Sequence, residues 1–374
     1  MVNSERIINE FLELVQVDSV SGKERAIADL LKKKLTAIGL EVFEDDAGRE
    51  VGSDTGNIIA KLPGRGGGRT LLLSAHMDTV EPGCGVKPQI EGDVIKSSGD
   101  TVLGADDKAG IAAILEVLRL VKEQNLQHGD LEVVFTIWEE GGLWGSKNLD
   151  YSKLSATSGF VLDNHGPPGT IVNRAPWQDH IGATIKGKSA HAGINPELGI
   201  SAILVASQAI AGMRLGRIDE ETTSNIGVIA GGQATNIVPD SVTIEGEARS
   251  LSLDKLQAQT AHIEEAINIA AAKYGAKARV TIDRQYDGYN LHRDTYPVQL
   301  ALLAAKNLGL TANLTPTGGG SDANIFNSKG IATAVLGIGM NKVHTTEEYI
   351  NIKDLIGNAG YLLEIVQLSQ AIQS

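Results

Sequence analysis

Two textures alternate along this chain, and the point where one interrupts the other constrains the fold more than any single motif. Through the first half, helical and strand-like segments take turns. ERAIADLLKKKLTAIG sets Ile27, Leu30, Leu31, Leu35 and Ile38 on one helical face, with Gly39 placed as its C-terminal cap. The short apolar runs NIIAKL and TLLLSA follow, then the helix AGIAAILEVLRLVKEQ and the strands LEVVFTIW and GFVLD. That alternation builds a mostly parallel, mixed sheet with helices on both faces. From about Trp177 the order becomes strand (IGATIKG), helix (SAILVASQAIAGM), strand (NIGVIA), strand (SVTIEGEARS), long helix (DKLQAQTAHIEEAINIAAAKYG) and strand (ARVTID). This is the ferredoxin-like split unit. A helix near Tyr296 to Leu308, the strand IATAVLGI and a helix near Asp354 to Ala371 then resume the first texture. The expected fold is α/β, with a discontinuous main domain at 1–177 and 288–374 and an inserted α+β domain at 178–287.

Two domains also suit a chain of 374 residues, which is longer than one hydrophobic core usually serves. Lys plus Arg number 33 against 46 Asp plus Glu, so the net charge of −13 repels phosphate backbones and anionic lipid, and nucleic acid is not an expected partner. The N-terminal MVNSERIINEFLELVQ reads as an amphipathic helix rather than a signal peptide, and no segment approaches the roughly 18 consecutive apolar residues of a membrane span. The single cysteine, Cys84, excludes an intramolecular disulfide and agrees with a reducing compartment. A cytoplasmic protein is the resulting expectation.

Chemistry gathers at strand ends. TLLLSA runs into His76 and Asp78, LEVVFTIW into Glu139 and Glu140, and GFVL into Asp163, while His344 lies in the loop after IATAVLGI. In open α/β sheets ligands sit beyond the carboxyl ends of the strands, so these residues can share one crevice although they are remote in sequence. Asp106 and Asp107, in GADDKAG, directly precede a helix and join the set. One Asp before a helix commonly serves as its cap. Two histidines with several carboxylates need a cation to offset their charges, and imidazole plus carboxylate without thiolate suits zinc, cobalt or manganese in a catalytic site. The donors exceed what one ion needs, and two ions bridged by a shared carboxylate would use them.

The Glu139-Glu140 pair follows an apolar strand and precedes Gly141-Gly142, so the turn can aim both side chains at one site. One can then bind metal while the other remains free as a base. Other chemistries find less support. GRGGGR, residues 64 to 69, lacks the strand-to-helix setting of a dinucleotide-binding motif, and no G-x-S-x-G elbow marks a serine hydrolase.

In order along the chain, SAHMDTVEP, GADDKAG, WEEGG, VLDNHG, KSAHAG, GGGSDA and VHTTEEY resemble the zinc metallopeptidase family that holds aminoacylases, glutamate carboxypeptidases and peptidase T. The resemblance implies a zinc-exopeptidase-like catalytic domain and makes the inserted domain a lid or dimerisation domain. It implies two divalent ions, zinc first, with cobalt or manganese as alternatives. One would be held by His76 and Asp163, the other by Glu140 and His344, with Asp106 bridging. Glu139 becomes the general base, Asp78 the group that orients the His76 ring, and Asp107 structural support beside an unusual peptide bond. It further implies substrate-binding roles for His191 in KSAHAG, Arg249 in GEARS, Asn236 in GGQATNIVPD and Gly319 in the GGGS loop.

Within that family GADDKAG and HTTEEY resemble the peptidase T branch most, which implies an aminopeptidase removing the N-terminal residue of tripeptides, with a possible homodimer through the inserted domain. GGQATNIVPD, Asn164-His165 and Leu143-Trp144 depart from that branch. An N-acyl-amino-acid amidohydrolase or carboxypeptidase is therefore the alternative, and a non-catalytic metal or peptide-binding scaffold a third. Glu139 argues against the scaffold, because binding alone needs no base.

Overall fold

The computed structural model describes residues 1–370. The chain divides into two compact units. The first comprises Met1–Asn173, Asn290–Pro316 and the segment from Ser321 onward; the second comprises Arg174–Tyr289 and Thr317–Gly320.

The first unit is built on a large mixed sheet whose principal strands are β1 (Glu41–Glu44), β2 (Ile58–Leu62), β3 (Leu71–His76), β4 (Leu131–Thr136), β5 (Ser158–Asn164), β6 (Thr170–Ala175) and β7 (Ala332–Gly337). Their spatial order is β1-β2-β4-β3-β5-β7-β6. The four central strands, β4, β3, β5 and β7, are mutually parallel, in register Leu71 with Leu131, Leu71 with Ser158, and Ala332 with Ser158. β1, β2 and β6 pair antiparallel at the flanks. Every residue of β3 and β4 is buried, which is why both read as mainly apolar runs, with Ser74 and Glu132 as internal polar residues, rather than as alternating ones.

Of the helices α1 (Ser4–Val15), α2 (Arg25–Ile38), α3 (Ala105–Glu123), α4 (Tyr296–Asn307) and α5 (Ile352–Leu368), α2, α3 and α4 pack against this sheet, while α1 packs on α3 and α5, and α5 on α3 and α4. α2 ends as its sequence predicts, at Gly39 in the left-handed region with φ 93°. α5 closes at Leu368, and the expected extension to Ala371 lies outside the described residues. α3 begins four residues before its apolar periodicity does. Asp106 and Asp107 form its first turn with non-helical backbone, and the peptide between them is cis.

The second unit is an antiparallel sheet in the order Thr222–Gly231, Ser241–Ser250, Trp177–Lys186, Lys277–Tyr286, with the short Gly216–Arg217 strand outside Thr222–Gly231. The helices Ala202–Ala211 and Leu253–Tyr274 pack on it through Val205, Ala206, Leu256, Ile263 and Ile267 against Ile181, Ile185, Val242 and Ile244. Numbered by chain order, its four long strands lie 2-3-1-4, the arrangement that strand, helix, strand, strand, helix, strand connectivity produces. Thr317–Gly320, which sequence reasoning placed outside the insert, groups with this unit. There Gly320 is a steric requirement, since a Cβ would lie 2.2 Å from the Tyr286 ring, whereas one on Gly319 would meet nothing closer than 3.8 Å.

Candidate metal centre

Because β4, β3, β5 and β7 run parallel, their carboxyl ends share one edge of the sheet, and the predicted residues meet there. His76 closes β3 and is 2 % exposed. Its Nδ1 lies 3.0 Å from the Asp78 carbonyl oxygen, which leaves Nε2 as the free ring nitrogen, 2.9 Å from Asp106 Oδ1. His344, in the loop after β7 with φ 62°, sets its Nε2 2.9 Å from Glu140 Oε1 and 3.3 Å from Asp106 Oδ2. Asp106 thus stands between the two imidazoles, one oxygen toward each.

Two groups of potential ligand atoms lie within 4.8 Å of one another: His76 with Asp106 and Glu140, and His76 with Asp107 and Asp163. The donor set fits a pair of divalent cations. Each imidazole Nε2 faces carboxylate oxygen, so a proton or a metal ion must lie between to make the contact attractive. Hydrogen bonds donated to the Asp106 and then the Glu140 carboxylate push the His344 imidazole up to about 10. Burial alone would lower His76, but its contacts with Asp106 and Asp78 outweigh that and raise it well above its ordinary value. Burial, then the charge of neighbouring carboxylates, drives Asp107, Asp163 and Glu139 well above the usual carboxylate range. An anionic cluster with so little water around it is chemistry suited to cation binding. Asp107 also has a buried Oδ1 without a hydrogen-bond partner, while its Oδ2 accepts the His76 backbone N–H at 3.2 Å.

Asp78 does more than sequence reasoning expected. Its carboxylate lies 3.4 Å from His76 Nδ1, farther than its own carbonyl. Its oxygens accept the backbone N–H groups of Glu139 at 2.9 Å and Glu140 at 3.2 Å, and the Ser21 hydroxyl at 2.6 Å. Glu139 is thereby held at the site, 8 % exposed.

Several supporting residues were missed. The segment Ser19–Glu24 underlies the centre. The Ser19 hydroxyl donates to the Met77 carbonyl at 2.8 Å and accepts from Lys108 Nζ at 2.8 Å, while Glu24 accepts the Trp138 N–H at 2.9 Å. Burial lowers the Lys108 ammonium to about 8 even with Asp78, Glu348 and Asp106 near it. Asp322 accepts from the Thr136 and Ser146 hydroxyls at 2.5 Å each. Lys108 and Asp322 lay within the motifs GADDKAG and GGGSDA without a role assigned to them, and the Ser19–Glu24 segment SVSGKE carried no motif.

The remaining predicted residues belong to the second unit. There the His191 and Asn236 loops run together, with a bridge between His191 and Ile237 and the Ala192 N–H donating to the Asn236 carbonyl at 2.9 Å. Arg249 is clasped by Glu247 on its own strand, Nε and Nη2 each 3.0 Å from a carboxylate oxygen, and Gln178 holds Glu247 at 2.6 Å. Among the described residues, no helix is long and apolar enough to cross a membrane.

Known proteins share the sequence and fold of this chain over its length. YqjE of Bacillus subtilis is 45 % identical over 367 residues, covering 98 % of this chain and 99 % of the relative. The crystal structure of a tripeptidase from Staphylococcus aureus superposes with a TM-score of 0.95 at 43 % identity over the whole of both chains. That of aminopeptidase PepT from Bacillus cereus gives 0.92 at 46 %, covering 99 % of this chain and 100 % of that one. The model of peptidase family M20/M25/M40 matches residues 72–368, a span that opens within the His76 strand and closes after His344. With its fold and sequence matched across that span, the chain is a peptidase belonging to family M20/M25/M40.

Proposed function

We propose that this peptidase is a two-metal aminopeptidase that removes the N-terminal residue of short peptides, tripeptides first. The observation that carries the reading is the meeting of His76, Asp106, Glu140 and His344 at one sheet edge, beside a buried Glu139 that pairs with neither imidazole. The tripeptide preference rests on full-length likeness to the Staphylococcus tripeptidase and the Bacillus cereus aminopeptidase.

His76 and Asp163 would hold one ion and Glu140 and His344 the other, with Asp106 shared; zinc suits the donors, as do cobalt and manganese. When bound, such ions acidify water and polarise an amide carbonyl. Glu139, whose carboxyl burial pushes well above the usual carboxylate range, would accept a proton from the attacking water and deliver it to the leaving nitrogen. Asp78 keeps Glu139 in place through the backbone N–H. His191 would donate to the developing oxyanion, and Arg249 would exchange its Glu247 partner for the substrate carboxylate, with Asn236 and the Gly319 loop completing the substrate contacts.

A homodimer through the second unit belongs to the same proposal. Along Thr222–Gly231 the short outer strand covers only Thr223 and Ser224, so the rest of that edge is open among the described residues. Val228 and Ile229 on it are 55 % and 51 % exposed, and Ile203 and Leu204 on the Ala202–Ala211 helix are 44 % and 46 % exposed. An open apolar edge of this kind is covered by pairing with a second copy.

Product analysis by mass spectrometry tests the activity. Zinc-reconstituted protein is given one tripeptide with its amine free and acetylated. Release of the N-terminal residue from the free form alone is expected. Deacetylation, or loss of the C-terminal residue, would instead assign acylase or carboxypeptidase specificity.

A further inference from the structure

α3 starts without a local cap. Its N-cap residue is Gly104, at φ 76° in the left-handed region, and no side chain of the adjoining segment accepts from the first-turn N–H groups. Helix starts leave such donors unsatisfied, and burying them without acceptors is costly. The acceptor comes from the far end of the chain. Glu348, 1 % exposed, places Oε2 2.7 Å from the Leu103 nitrogen and 2.8 Å from the Gly104 nitrogen, and Oε1 3.1 Å from the Asp106 nitrogen. Three backbone donors converge on one carboxyl group at a helix N-terminus, and they oppose the burial that pushes it up to about 7.

The same residue is tied to His344. The Glu348 N–H donates to the Thr345 carbonyl at 3.1 Å, closing a turn that begins one residue after the histidine. The side chains of Asp106 and His344 meet at 3.3 Å. The contacts therefore form a closed ring: Asp106 carboxylate to His344 imidazole, His344 through the turn to Glu348, and the Glu348 carboxylate back to the Asp106 N–H. We infer that Glu348 is a positioning residue for the metal centre, fixing the separation of Asp106 and His344 so that both reach the same ion.

Acceptor count explains why the position needs a carboxylate. Three N–H donors require a group that only accepts, whereas a glutamine amide offers one oxygen and turns its own donors toward one side of the cluster. Glu348→Gln can still accept from Leu103 and Gly104 through one oxygen, but then presents NH₂ to the Asp106 N–H. The substitution thus loosens Asp106 with little loss of packing volume.

This inference rests on the two-metal reading, and a Co²⁺ titration of the metal-free full-length protein separates the two. Visible absorption of bound cobalt reports geometry, calorimetry reports stoichiometry and affinity, and melting of the metal-free forms reports structural damage. The unsubstituted protein is expected to bind two equivalents. Glu348→Gln is expected to melt close to it when metal-free, yet to bind its weaker equivalent about tenfold less tightly, with an altered cobalt spectrum and a fall in kcat larger than any change in KM. Glu348→Asp, which keeps the charge but retracts it by one methylene, should fall between. Unchanged affinity and spectrum for both equivalents in Glu348→Gln overturns the positioning role. So does a collapse of metal-free stability in both variants, which would make Glu348 a helix cap alone. Fewer than two equivalents in the unsubstituted protein sinks the two-metal reading itself, and the inference with it.

Discussion

Asp78 Oδ1 accepts the backbone N–H of Glu139 at 2.9 Å, so the side chain that follows β3 sets the backbone of the turn that follows β4. The other oxygen holds Glu140 at 3.2 Å and Ser21 at 2.6 Å. Asp78→Asn keeps the shape but replaces one acceptor with a donor facing an N–H. We expect kcat/KM for a tripeptide to fall about 10–100-fold with metal affinity lowered, because Glu139 and Glu140 shift together. Steady-state kinetics alongside metal analysis checks this; a variant with unaltered kinetics would remove Asp78 from the machinery.

Glu139 pairs with neither imidazole and is buried beside the cluster, which leaves it free to move a proton. Glu139→Gln should retain its metal content and lower kcat by roughly 10²–10⁴-fold, the usual range for losing a general base. Hydrolysis persisting at the original rate in metal-loaded Glu139→Gln would show that another group takes the proton.

Chelation should abolish hydrolysis and lower the melting temperature, since Asp107, Asp163 and Glu139 are then left crowded in a poorly hydrated space. Ions bound at about 1,000 times Kd stabilise the folded state by about 4 kcal/mol per site. Calorimetric scans with chelator, and again after excess Zn²⁺, should differ by several degrees. Superimposable scans would speak against resident ions.

Away from the centre, Glu44 predicts part of the acid response. Arg25 bonds both its oxygens at 2.6 and 3.0 Å, and Lys32 adds a third contact at 2.6 Å. Chiefly through Arg25, its carboxyl is held well below the ordinary value of 4.5. A depressed folded-state value means stability present above the unfolded pKa and lost as pH falls below it. For a partly exposed network we expect about 1 kcal/mol from this source. Denaturant midpoints between pH 7 and pH 3 should fall less steeply for Glu44→Gln than for the original chain. Parallel curves would mean that Glu44 has no part in acid unfolding.

The centre was legible in the sequence because of how its strands are buried. β3 and β4 lie inside the sheet on both faces, so each reads as a mainly apolar run, and the change of texture where the run stops, at His76 and at Glu139, marks the end of the strand. Parallel pairing then sends those residues to one side, which no short window of sequence shows but α/β alternation predicts. Glu348 was hidden for the opposite reason. Its acceptors are used by backbone N–H groups more than two hundred residues away, and a buried clamp of that kind leaves no period. Ser21, Glu24 and Lys108 likewise bond to partners 57, 114 and 89 residues away in the chain. The start of α3 was read late because Asp106 and Asp107 are not helical, and the grouping of Thr317–Gly320 with the second unit left no mark in the sequence because a four-residue excursion has no texture of its own.

The position of β7 has a consequence for how the protein is made. It lies between β5 and β6, both of which leave the ribosome before the second unit does, while β7 follows it. Until Ala332–Gly337 emerges, the nascent first unit has a strand-wide slot bordered by Phe160 and Val161 on one side and Ile171 and Val172 on the other. The second unit is nearly continuous in sequence and can mature while that slot waits. Nascent chains stalled before Ala332 should therefore be the form most prone to aggregate, and the form on which a holding chaperone acts.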